Sequence, residues 1–266
     1  MSRLMYISNL GNQIQYIEKA VATYPELIQG EVDICNMKKQ PLWDATFESR
    51  LRAADVVLVT NMGVGLDSPF LERLERWLYA HHPKYWIDVV EPKKTDILYR
   101  NIDIDQRTLL ESYRRTSGVM NYVRLINGAF STKPTSEWEK PDHIPWQAIM
   151  GRNGNIYETY DEFMDAEANR DWPSIAVYFY RDEWIMGDIY YQQALFEEIY
   201  KHGYNPIIFY GQYGSNPRVG IPNMKLSMNY LFGKDVFPFD VLINTCKFSF
   251  QSLGAQTLEE LKLQDC

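Results

Sequence analysis

Cysteine is scarce in this chain: three in 266 residues, at the widely separated positions 35, 246 and 266. No CxxC pair or His-rich tract accompanies them, so neither a structural zinc site nor a disulfide framework is signalled. An odd count fits a reducing compartment. The apolar runs around Cys35 and Cys246 predict buried thiols. Histidine is sparse too, at four. Basic charge is in deficit. Against 35 Asp and Glu there are 27 Lys and Arg, a formal net charge of -8. That balance excludes the basic footprint of a general nucleic-acid binder. The short basic pairs Lys38-Lys39, Lys93-Lys94 and Arg114-Arg115 read as solvated surface. No apolar run approaches the ~18–20 residues of a transmembrane helix. The stretch from Met1 to Asn9 is too short for a signal peptide and leads straight into a strand pattern. The expectation is a cytoplasmic protein with no membrane span. Neither GxGxxG, GxxxxGK[ST] nor a nucleophile elbow is present, so nothing local points to nucleotide hydrolysis or acyl transfer.

What is abundant is aromatic side chain. Nineteen Tyr and seven Trp lift the aromatic share to 14%, within a hydrophobic content of 45%. Such a chain buries a core and is not disordered. Rigid amphipathic rings suit flat organic ligands or docking partners; the alternative is a core and rim that use Tyr.

The first hundred residues alternate strand and helix patterns. Strands are expected at Arg3–Ser8, Glu31–Asn36, Asp55–Thr60 and Trp86–Val90. Between them lie a helix carrying Ile14, Ile17 and Val21, one with Phe47 and Leu51, and one with Leu71, Leu74 and Leu78. Ser68 is a plausible cap for the last, with Pro69 in its first turn. Two further helices follow, one with Leu109, Leu110 and Tyr113 and one with Val119, Tyr122, Ile126 and Phe130. Thr116-Ser117-Gly118 breaks them apart. A Pro-rich connector spans Ser131 to Pro145. Beyond it, Asn155–Tyr157 reads as a short extended piece and Tyr160–Ala168 as a short helix. Lys225–Phe232 reads as helical, Phe239–Thr245 as a buried strand and Thr257–Leu263 as a surface helix.

The richest stretch is Ile175 to Tyr213. A strand, Ile175–Tyr180, is apolar on both faces, as in a covered parallel sheet. A charged loop, Arg181-Asp182-Glu183-Trp184, follows at the end where open α/β sheets bind ligands. A helix then carries Tyr191, Leu195 and Ile199 on one face. Gly203 supplies its left-handed stop, and Pro206–Tyr210 is the next strand. The fold expected is α/β, with two doubly wound, mostly parallel-sheet (flavodoxin-like) halves joined by a helical and Pro-rich connector. The halves are expected at 1–133 and 145–266, the second incomplete at its C-terminus.

Candidate ligand-binding residues are Arg181, Glu183, Trp184 and Asp188. Arg181 has the fork to pair with a ligand carboxylate, or forms an ion pair with Asp182 or Glu183. Trp184 can stack on a ring. Asp188 either contacts ligand or caps the next helix. The small-residue loop Asn61–Gly65 invites a weaker phosphate-cradle reading. His81-His82 sits at a helix end, and His143 and His202 have no obvious partner, so no metal site is expected. Catalytic residues are unknown at this level.

Three segments taken in order carry a family resemblance: SGVMNYVRLINGAF (Ser117–Phe130), GNIYETYDEFMDAEANRDWPSIAVYFY (Gly154–Tyr180) and YRDEWIMGDIYYQQALFEEIYKHGYNPIIFY (Tyr180–Tyr210). They resemble the N-terminal region of tetrapyrrole metal chelatase large subunits, the family of the cobaltochelatase large subunit and the porphyrin-binding subunit of magnesium chelatase. The resemblance covers about residues 55 to 250 in order and spacing. The sequence departs from the family in its acidic Arg181–Trp184 loop, in Glu158-Thr159 where His-Pro often stands, and in being much shorter. It is therefore expected to be a fragment of a longer chain or a short relative. The resemblance implies a ligase-type enzyme of cobalamin biosynthesis that inserts cobalt or magnesium, as substrate, into a porphyrin or corrin precursor. It implies ATP and Mg on partner ATPase subunits, and no cofactor on this segment. This stretch would contribute to macrocycle binding or subunit docking and is not expected to be catalytic alone. The competing reading is a stand-alone, non-catalytic α/β ligand-binding or interaction module. A third is a nucleotide-dependent enzyme on the first half.

Overall fold

A computed structural model describes residues 2–39, 43–62, 69–81, 84–90, 98–100, 102–211, 220–222, 224–233 and 237–246. The small-residue loop from Gly63 onward, the Ser68 cap, His82, Lys93-Lys94, Thr257–Leu263 and Cys266 lie outside them. The chain divides into two compact units, Met1–His143 and Ile144–Cys266.

The first unit runs β1 (Arg3–Ser8), α1 (Gly11–Thr23), β2 (Glu31–Asn36), α2 (Ala45–Ala53), β3 (Val56–Met62), α3 (Pro69–His81), β4 (Tyr85–Val90), β5 (Leu98–Arg100), α4 (Ile104–Thr116) and α5 (Val119–Phe130). Its sheet order is β2-β1-β3-β4-β5, parallel but for the antiparallel edge β5. Alternation decides which helix covers which face. Met5, Ile7, Val57 and Val59 pack against Phe47, Leu51, Leu71, Leu74 and Leu78 of α2 and α3. Tyr6 points the other way, edge-on to Tyr122, which stacks on Tyr16 at 5.2 Å. The sheet is thus doubly wound. Asp44 caps α2 through Phe47 N at 2.7 Å, and Asp103 caps α4. Ser117 (φ 66) and Gly118 (φ 86) break α4 from α5. The stretch after α5 folds back on it: Arg124 meets Glu139 at 2.7 Å and Asp142 at 2.8 Å.

Arg114-Arg115 corrects the expectation of solvated surface. Arg114 is 3% exposed, with its guanidinium 5.6 Å over the Trp86 ring. Burial, then the neighbouring Arg115, lowers its pKa to about 10. Adjacent charges on a helix read as surface by composition. Here α4 turns Arg107, Leu110, Glu111 and Arg114 inward together, at the 3–4-residue spacing of one face.

The second unit runs β6 (Ala148–Met150), β7 (Ile156–Tyr157), α6 (Tyr160–Ala166), β8 (Ser174–Phe179), α7 (Arg181–Met186), α8 (Tyr190–Lys201), β9 (Asn205–Tyr210), α9 (Met224–Phe232) and β10 (Val241–Asn244). Its sheet order is β10-β8-β9-β6-β7. The first three strands are mutually parallel, and β6 and β7 form an antiparallel hairpin beside β9. Thr159 and Glu162 close a reciprocal capping box on α6. Gly203 (φ 80) stops α8, where Tyr204 N returns to Ile199 O at 3.3 Å. Trp184 of α7 stacks on Tyr210 on one face of the sheet, and Phe232 of α9 meets Phe209 on the other.

Four local readings change. Residues 181–184 are not a loop: they open the helix α7, closed by Gly187 in the left-handed region at φ 76. The buried stripe of α8 is Gln192 and Phe196, while Tyr191 is 40% exposed. Leu195 and Ile199 flank that stripe, so the expected face was rotated by one residue. Among the described residues β10 is an edge strand, with Val241 and Ile243 exposed. The fully buried β6 was not foreseen: three residues are too few for a period to show.

Candidate functional site

In the second unit the chain passes from β8 to β9 on one side, then returns to place β10 on the other. The C-terminal ends of β8 and β10 therefore flank a topological switch point, where open α/β sheets bind ligands. The four candidate residues belong to the short helix that leaves this edge and to the turn after it.

Arg181 is the first residue of α7 and is only 6% exposed. Its Nε donates to Pro145 O at 2.8 Å and its Nη2 to Ile144 O at 2.9 Å. The guanidinium lies 4.6 Å over the Trp146 ring. The fork thus holds the strand-like segment that enters β6. Two backbone carbonyls, not a ligand carboxylate, hold this side of the fork. Trp184 donates Nε1 to Gly154 O at 2.9 Å and stacks on Tyr210 at 5.7 Å, so one ring ties α7 to the β6–β7 turn. Asp188 is exposed. It does not cap α8, whose N-cap residue is Ile189 without a side-chain bond. Its backbone N–H donates to Glu183 O at 2.9 Å.

Glu183 is the centre of a network. Its Oε2 accepts from Tyr191 OH at 2.7 Å and from Gln192 Nε2 at 2.6 Å. Tyr191 OH also lies 3.1 Å from Thr245 Oγ1, and Thr245 donates to Tyr178 O at 2.9 Å. Elements α7, α8 and the end of β10 are joined in this way across the switch point. Burial is the main force raising the Glu183 carboxyl above the ordinary carboxylate range, with Asp188 and Asp182 adding to it against the two donors. Burial, and then Glu183, pushes the nearby Cys246 thiol up to about 12, so it is an inert thiol at neutral pH.

The raised Glu183 value has a sign. The folded protein holds this proton to higher pH than the unfolded chain does. Folding stability from this group therefore falls as pH climbs from the ordinary value of 4.5 through the raised one, and levels off above it. Glu183→Gln removes that slope. Its melting temperature relative to the parent is expected to rise from about pH 4 to about pH 8. A difference that stays constant with pH would contradict the raised value.

Gln192 and Thr245 escaped the sequence reading, and Tyr191 was read there only as part of a helix face. The available signal was twofold. Gln192 shares the inward face with Phe196, four residues on. Thr245 lies just past the last strand, at the end where ligand edges form.

Among the described residues no group of three or more His, Cys, Asp or Glu could hold a metal ion. No helix among them is long and apolar enough to cross a membrane. Fold and edge together define an α/β protein with its candidate site at a sheet switch point. The CobN/Magnesium Chelatase family profile matches residues 111–265, more than half of the chain, and this chain belongs to that family. An uncharacterized protein of Methanocaldococcus jannaschii is 30% identical over 165 residues, 59% of this chain and 13% of that protein. The match thus spans about an eighth of that relative's length. A solved structure titled the catalytic subunit of cobaltochelatase from Mycobacterium tuberculosis is 14% identical, with a TM-score of 0.45, over 86% of this chain and 18% of that one.

Proposed function

We propose that this chain is the part of a metal-chelatase large subunit that contributes to tetrapyrrole binding or to docking of partner subunits. The observation that carries this is the family match over 111–265, which takes in every described element of the second unit. In this reading the whole enzyme inserts cobalt or magnesium, as substrate, into the macrocycle, driven by ATP hydrolysed on ATPase partners. This segment supplies a surface and not the insertion chemistry. The part suited to a flat ring is the aromatic edge of the second unit, where Trp146 lies under the Arg181 guanidinium and the half-buried Trp184 stacks on Tyr210.

Absorbance titration with a porphyrin and with a corrin precursor tests the reading. The expected result is a saturable shift of the macrocycle's main band in the micromolar range, weakened by Trp184→Ala. Absence of a shift at tens of micromolar, for this chain and for a longer one carrying the same region, would sink the binding role.

A further inference from the structure

The two units share one topological core. In the first, β1, α1, β2, α2 and β3 place three parallel strands in the order β2-β1-β3. In the second, β8, α8, β9, α9 and β10 place theirs in the order β9-β8-β10. So α8 stands where α1 stands, and β10 where β3 stands. In the first unit another helix, α5, lies beside α1, with Tyr122 stacked on Tyr16. On that face, set by register with Leu4, Tyr6 and Ser8, the β3 side chains Val56, Leu58 and Thr60 are all buried.

Among the described residues of the second unit no helix takes the corresponding place. Register with Ile175 and Val177 puts Val241 and Ile243 on the face of Ile208 and Tyr210, where Trp184 stacks. Tyr191 of α8 reaches Thr245 on this same face. Yet Val241 is 47% exposed and Ile243 41%, while Leu242, pointing the other way, packs on the core. Across from them α8 carries Tyr191, Leu195 and Ile199 along one side, none fully buried. Its other side is taken up by the β6–β7 turn, where Glu197 pairs with Arg152. An apolar strip is left between α8 and the β10 edge.

The first unit shows what fills such a strip: a helix laid along its neighbour. It is not the helix next in order. There α3, which directly follows β3, covers the opposite face together with α2, as right-handed crossovers require. The helix beside α1 comes two strands later. The rim of the strip is acidic. Glu183, Asp182 and Asp188 gather at the Tyr191 end. Exposed Glu198, which Lys201 and His202 share, lies along α8. The surface therefore suits a helix with an apolar stripe and Lys or Arg on its flanks.

We propose that the strip between α8 and β10 docks an amphipathic, basic-flanked helix of a separate polypeptide, in the place that α5 holds beside α1. This names a surface for the docking half of the function proposed above and rests on that half. The macrocycle titration tests the other half, and its outcome does not depend on the strip.

Fluorescence anisotropy with a labelled Leu/Lys amphipathic helix of about 18 residues, roughly five turns, tests the proposal at physiological ionic strength. A Leu/Glu peptide of equal length and the same apolar stripe is the charge control. The full chain is expected to bind the Leu/Lys peptide saturably in the micromolar range, and the Leu/Glu peptide about tenfold more weakly or worse. Val241→Thr and Ile243→Thr keep β-branching on an exposed edge. Together they are expected to weaken binding by about tenfold. Ile104→Thr, at an exposed apolar residue of the first unit, is expected to change nothing. Melting curves establish that each variant is folded, and if the double variant fails to fold the single ones carry the comparison. Equal affinity of the parent and the folded strip variants would overturn the proposal. Equal affinity for the two peptides, or no saturation in the parent, would overturn it as well. So would a parent that sediments as a dimer and becomes monomeric with Ile243→Thr, because a second copy would then occupy the strip.

Discussion

Asn205→Ala is expected to lower the unfolding free energy of the second unit by about 3 kcal/mol. Asn205 opens β9 and is 0% exposed. Its Oδ1 accepts from Asn169 N at 2.8 Å, while its Nδ2 donates to Asn169 O at 2.8 Å and to Trp172 O at 2.9 Å. One amide thus supports the segment that feeds β8, and alanine leaves Asn169 N and Trp172 O without this partner, while Asn169 O keeps its bond from Trp172 N at 3.1 Å. Each stranded group costs roughly 1–3 kcal/mol where water cannot reach it, so partial collapse still leaves several kcal/mol. Asn205→Asp is expected to cost nearly as much, because a carboxylate would face two carbonyl oxygens. Urea unfolding followed by far-UV circular dichroism gives the measurement. A loss below about 1 kcal/mol for Asn205→Ala would show that the clamp is not buried in solution.

Arg181→Met is the second large effect, at about 3 kcal/mol. Two charge-assisted hydrogen bonds to Pro145 O and Ile144 O are lost, together with the contact over Trp146. Methionine fills much of the stem's volume, so the loss reports the guanidinium and not a cavity. Arg181→Lys is expected to recover less than half, because an ammonium lacks the planar fork that reaches both carbonyls. The same unfolding measurement decides the role of this side chain. A near-neutral Arg181→Met combined with lost macrocycle binding would identify Arg181 as a ligand contact. The expected pattern is destabilisation first, with any binding loss following from it.

The two predictions mark where sequence reasoning was strong and where it stopped. The strand Ile175–Tyr180 was legible because every residue is apolar or aromatic, and it is β8 nearly to the residue. Gly203 was legible because a helix stop needs a left-handed residue, and its φ is 80. The site was half legible. Strand ends in α/β sheets mark ligand edges, so Arg181, Glu183 and Trp184 stood out by position alone. Their partners did not. Pro145 lies 36 residues before Arg181, Gly154 lies 30 before Trp184, and Thr245 lies 54 beyond Tyr191. No local period encodes pairings over such distances.

The chain's order of elements, its alternating β and α patterns and its membership of a chelatase family follow from the amino-acid sequence by itself. Periodicity and turn chemistry are local, and segment order is linear. Only the tertiary structure decided what the charged residues do. Arg114, read as surface, is buried over Trp86, because the inward face of α4 is set by what it packs against. Arg181, a candidate for a ligand carboxylate, spends its fork on two backbone carbonyls. Glu183 gathers donors from a helix and faces the end of a strand that the sheet alone brings near. Burial and hydrogen-bond satisfaction are properties of the packed chain, and they assign these roles only once the strands are in order.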